Sequence, residues 1–141
     1  MMSGALRPFV GVGPLSFGMN RKEVQDTLDA TPRRIAKERD RPPVDQYGEE
    51  GVQAYFDRDG HLEFLELTPE AAVDLSGVPL LGHDLPSVLS DLEAIGHVGS
   101  IDEEGDIWFP DQGFALYIEE DQVAALSVYS RSYADQNPPP S

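Results

Sequence analysis

The spacing of apolar residues changes period several times along this chain, and each change marks an element. Met19, Val24 and Leu28 recur at helical spacing. Asn20 stands ready as an N-cap with Glu23 three residues on, the pattern of a capping box, and Thr31-Pro32 closes the helix. Leu85, Val88, Leu89, Leu92 and Ile95 form a second stripe, with Asp84 as cap, Pro86 in the first turn and Gly96 just past the end. After each helix the period falls to two. Residues 52–56 and 61–67 predict one β-hairpin around Asp57-Arg58-Asp59-Gly60, and residues 114–118 and 123–128 predict another around 119–122. Earlier strands are expected over 33–37 and 45–47, and over 97–101 and 106–109.

The order repeats. Gly18, Val24 and Leu28 align with Gly82, Val88 and Leu92, and Leu65 and Leu67 fall opposite Leu126 and Val128 once one gap is placed at the turn. The expected fold class is therefore α+β. Two similar helix-plus-antiparallel-strand repeats, 1–70 and 71–134, form one sheet of about six to eight strands with both helices on one face, followed by a disordered Pro-rich tail, 135–141. The other sheet face is expected to lie open to solvent.

Gly13-Pro14-Leu15-Ser16-Phe17-Gly18-Met19-Asn20-Arg21-Lys22-Glu23-Val24 resembles the start of the helix in a tandem-repeat family. That family includes the β-lactamase inhibitor proteins and the SmpA/OmlA-type outer-membrane assembly lipoproteins. The resemblance implies a helix-backed sheet whose other face grips a protein. In size and charge the chain is also similar to the small acidic immunity proteins that bacteria encode beside toxins. It has no cysteine, so it lacks the lipid-attachment cysteine and the cysteine pairs of those relatives, along with disulfides, thiolate metal sites and a cysteine nucleophile.

Charge sharpens the picture. The net charge is −16, and all of it falls in residues 59–141, where Arg131 is the single Lys or Arg. Such a field repels nucleic acid and anionic membrane and draws in basic partners; it also serves solubility. No stretch approaches the roughly 20 apolar residues of a membrane span, and no leader pattern opens the chain, so a cytoplasmic, soluble protein, monomeric or weakly dimeric, is the expectation.

Catalytic signatures are sparse. His61, His83 and His97 have no metal-ligand spacing, and neither a nucleophile elbow nor a phosphate loop is present. Asp57-Arg58-Asp59-Gly60 opens like a calcium loop, but His61 and Thr68 occupy positions five and twelve, so it reads as a turn. Asp102-Glu103-Glu104-Gly105-Asp106 is either a solvated loop or a weak cation site. No cofactor and no metal are expected. Alternation places Phe114, Leu116, Leu126 and Val128 inward, and Trp108, Tyr117 and Tyr129 on the open face beside Asp102, Glu103, Glu104, Asp106, Glu119 and Glu120. Aromatic anchors ringed by charge resemble binding hot spots, although the single tryptophan of a small domain is also a core candidate. The leading expectation is a non-catalytic inhibitor of a basic protein. The alternative is an accessory or regulatory domain that binds a small molecule or stabilises an assembly.

Overall fold

The computed structural model describes residues 2–138. In chain order the elements are β1 (Ser3–Arg7), β2 (Gly11–Val12), β3 (Leu15–Ser16), α1 (Arg21–Leu28), β4 (Arg33–Ile35), β5 (Val44–Tyr47), β6 (Val52–Phe56), β7 (Leu62–Leu67), β8 (Ala72–Leu75), β9 (Val78–Pro79), α2 (Leu85–Ala94), β10 (Ser100–Ile101), β11 (Ile107–Phe109), β12 (Phe114–Glu119), β13 (Gln122–Tyr129) and α3 (Arg131–Gln136).

The expected fold class is overturned: the protein is mostly β and has two sheets. Eight antiparallel strands run in the order β10-β11-β12-β13-β7-β6-β5-β4, and a five-stranded sheet runs β3-β2-β1-β8-β9. The reason is one of coverage. Eight strands at about 4.8 Å span roughly 34 Å, whereas α1 and α2, of eight and ten residues, run only about 12 and 15 Å. They bury just Val24, and Val88 with Leu92. The row Val52, Ala54, Leu65, Leu67, Leu126, Val128, Leu116, Phe114, Ile107 and Phe109 needs more cover than that. Met2, Leu6, Val12, Leu15, Val73, Leu75 and Leu80, from or beside the small sheet, complete the same core. The small sheet is pinned by a parallel pairing of β1 with β8, Ser3 against Ala72 and Ala5 against Asp74, which crosses the expected boundary at residue 70.

Within this frame the backbone repeats itself. The Gly18 N–H donates to Leu62 O, and the Leu62 N–H to Met19 O. The Gly82 N–H donates to Val123 O, and the Val123 N–H to His83 O, in the same way. Each helix start thus clamps the beginning of a central strand. Asn20 and Glu23 form the capping box, and Asp84 caps α2 through the Ser87 N–H. Both hairpins also carry a register shift, after Tyr55 in β6 and after Tyr117 in β12, so Tyr55 and Tyr117 are counterparts.

The two hairpins differ at their tips. Asp57 and Gly60 close a longer turn, whereas Glu119 pairs directly with Gln122, and Glu120 and Asp121 both hold positive φ, 52° and 61°. That is the backbone of a type I′ turn, which favours Asn-Gly. Asp121→Gly is expected to raise stability by about 0.5–1 kcal/mol, read as a higher urea midpoint at unchanged m-value. A lower midpoint would show that the Asp121 side chain has a role in the turn.

The outer face of the large sheet is not fully open. Ser130 caps α3 by accepting the Tyr133 N–H at 3.1 Å, and α3 crosses β7 with Tyr133 packed on Phe64, ring centroids 4.9 Å apart. Asp135 and Gln136 of the expected disordered tail therefore lie in a helix, and residues 139–141 of it lie outside the described residues. No helix among the described residues is long and apolar enough to cross a membrane.

Candidate functional site

Strand alternation sets the outer face. Phe109 pairs with Phe114 and Phe114 with Val128, all inward and buried. Trp108 pairs with Ala115, Ala115 with Ser127, and Ser127 with Glu66, all on the other side. Beside that row the rings of Trp108, Tyr129, Tyr133, Phe64 and Tyr55 follow one another at centroid distances of 6.5, 6.0, 4.9 and 4.9 Å. Between Trp108 and Tyr133 the small side chains Ala115 and Ser127 leave a groove of about 470 Å³, lined also by Asp106, Tyr117 and Asn137.

Of the residues expected to form a binding face, Asp106, Trp108, Tyr117 and Tyr129 line this groove. Tyr117 is 51 % exposed and Trp108 is partly buried. Tyr129 is only 3 % exposed, enclosed by Phe9, Trp108 and Tyr133. Its hydroxyl is buried with no hydrogen-bond partner, and burial pushes its pKa up. Glu103 and Glu104 sit in the turn between β10 and β11, and Glu119 and Glu120 at the tip of the β12–β13 hairpin; all four are exposed and outside the groove lining.

Asp102 has a structural task. One carboxylate oxygen accepts the N–H groups of Glu104 and Asp106 at 2.9 and 3.0 Å, and the other accepts the Trp108 indole N–H at 2.8 Å. The same turn closes the first hairpin, where Asp57 accepts from Asp59 and His61, both at 2.9 Å. Asp102 thus aims Trp108. The indole bond above all, with the backbone bonds, holds its pKa below the usual value. A carboxylate depressed in the folded state adds stability above its unfolded pKa and loses it as pH falls through the folded one. In Asp106→Asn, which removes the other carboxylate near the indole, emission from Trp108, the single tryptophan, is therefore expected to stay constant down through the ordinary carboxylate range and to shift only below it. A shift with its midpoint within or above that range would contradict the assignment.

Asp106, two residues before Trp108, moves the other way. Burial raises its pKa first, a bond from the Ile118 N–H opposes this, and the Asp102 charge adds to the rise. The groove therefore holds a carboxylate poorly compensated by water. None of the three histidines lines it. Asp57, Asp59 and His61 bring potential metal-ligand atoms within 4.8 Å of one another, but Asp57 already serves two backbone N–H groups of the turn.

Alternation missed two wall residues. Phe64 was within reach of the same reasoning, since Leu65 and Leu67 inward put Phe64 outward. Tyr133 had only Ser130, a cap three residues earlier, to announce it. No protein family, no curated protein and no solved structure matches the chain.

Proposed function

We propose that this protein docks a basic protein against the groove and acts as a non-catalytic inhibitor, in the manner of a bacterial cytoplasmic immunity protein that neutralises a basic toxin. The observation that carries the reading is the partly exposed pair Trp108 and Tyr117 beside Asp106 on the outer sheet face. The surrounding half carries the whole charge of −16, which speeds encounter with a basic partner and disfavours nucleic acid. Among the described residues, four of the five large exposed apolar ones, Ile95, Val98, Ile101 and Tyr117, belong to this half as well. The resemblance of residues 13–24 to the tandem-repeat inhibitors points the same way. One carboxylate with no histidine beside it offers no acid–base pair.

The test is capture from the native lysate at low salt, wild type beside Tyr117→Ala. A stoichiometric basic protein that leaves with rising salt and is lost with Tyr117→Ala supports the reading. Equal capture by both proteins, or capture of nothing, overturns it. The volume of the groove favours a second reading, because about 470 Å³ falls in the range of small-molecule pockets. A ligand retained in native mass spectrometry, with no captured protein, would establish an accessory small-molecule-binding role instead.

A further inference from the structure

The two halves of the outer face carry counterpart tyrosines, and the chain treats them differently. In the first half Tyr55 is covered. Phe64 packs edge-on against it, and the Lys37 ammonium lies 5.3 Å from the ring centre and donates to its hydroxyl at 3.0 Å. Glu66 stands within 3.4 Å of the same hydroxyl. A cation, an aromatic face and a carboxylate thus form a completed set. In the second half the partner of Tyr117 across the hairpin is Ala125, where the first half places Phe64 beside Tyr55. By sheet register Ile101, paired with Ile107, takes the place of Arg34, paired with Asp45, so the edge strand of the second half brings no cation. Arg131, the single Lys or Arg after residue 58, is already engaged, its guanidinium 4.0 Å from the Phe9 ring centre. Among the described residues no Lys or Arg lies over Trp108 or Tyr117. The second half has Ser127 where the first has Glu66, and its groove instead holds Trp108, Tyr117 and the carboxylate of Asp106 with no cation of its own.

We infer that the groove takes an arginine side chain of the basic partner, its guanidinium against Trp108 and Tyr117, paired with Asp106 and donating to the Tyr129 hydroxyl. This rests on the docking reading above and names the group that enters. Three features fit a guanidinium. Its plane stacks on aromatic faces, where the ring quadrupole attracts the cation. Its several N–H donors can serve Asp106 and the buried, unpartnered Tyr129 oxygen together. Ala115 and Ser127, the small residues of the floor, leave room between the walls.

The probe is tri-arginine, with tri-citrulline as its uncharged isostere, at 0.15 M salt and read by Trp108 emission. Asp91→Asn, on the exposed face of α2, removes the same unit of charge as Asp106→Asn at a distance from the groove. Far-UV circular dichroism confirms that each variant folds. The expected result is saturable quenching by tri-arginine and none by tri-citrulline. Affinity should fall about tenfold or more in Asp106→Asn, fall several-fold in Tyr129→Phe, and change less than twofold in Asp91→Asn. Equal response to the two peptides, or equal loss in Asp91→Asn and Asp106→Asn, would overturn the inference. Capture of the whole partner tests the docking reading separately. A partner held equally well by wild type and Asp106→Asn but lost with Tyr117→Ala would leave that reading standing and remove arginine from the groove.

Discussion

Phe114→Ala is expected to cost about 4 kcal/mol, the largest loss of any single truncation considered for this protein. Phe114 is fully buried and stacks on Phe109, with centroids 4.5 Å apart and planes within 10°. It also pairs across the sheet with Val128. Truncation removes the transfer energy of the ring and leaves a void bounded by strands on both sides, which cannot close. For a domain of this size about 4 kcal/mol lowers the melting temperature by on the order of 10–15 °C. Tyr117→Ala, three positions along the same strand, removes a ring that is 51 % exposed and should change stability by no more than about 0.5 kcal/mol. Thermal melts of the two variants side by side decide the matter. Similar losses would mean that the inward and outward faces of β12 have been assigned wrongly.

Asp45→Ala is the second large effect, about 3 kcal/mol. The Asp45 carboxylate is buried, accepts from Arg34 Nε at 2.7 Å and is ion-paired with Arg21 Nη1 2.8 Å away, which ties α1 to the β4–β5 edge. Arg21 is fixed from two further sides, by a 2.7 Å bond to Pro43 O and by the Phe56 ring 4.4 Å away. Removing the carboxylate leaves two cations facing each other without their shared anion, the situation in which a broken buried pair costs most. The arginine side chains are 24 % and 52 % exposed, which keeps the loss near the lower end of the usual range for such pairs. Arg34→Ala removes both of its hydrogen bonds to the buried carboxylate but leaves the Arg21 ion pair in place, so it should cost less, about 2 kcal/mol. Urea titrations should return that order, and a larger loss for Arg34→Ala would refute it.

Local periodicity reaches some of this architecture and not the rest. The hairpins, the capping box at Asn20 and the outward direction of Trp108 and Tyr117 follow from spacings of two to four residues, within the span of a short window. The five-stranded sheet does not. Its strands are two to five residues long, too short to show a period, and its central pairing joins residue 3 to residue 72. Helix α3 has six residues and buries none of them, so it presents no stripe, yet its Tyr133 walls the groove. The carboxylates were legible as a cluster but not by role. Asp102 and Asp106 read alike in sequence; one is taken up by a turn and an indole, and the other is left facing the groove.

The pairing of β7 with β13 places Leu67 against Leu126, Glu66 against Ser127 and Leu65 against Val128. Under the repeat alignment Leu126 is the counterpart of Leu65, Ser127 of Glu66, and Val128 of Leu67. The register is therefore centred on equivalent residues, as in the isologous contact of a twofold homodimer. A homodimer with this seam would carry two identical sites, and any change to one would appear in both. Covalent linkage lifts that constraint and removes dependence on concentration. One half can hold its own lysine against Tyr55 while the other leaves the counterpart Tyr117 exposed, a difference that two identical subunits could not carry.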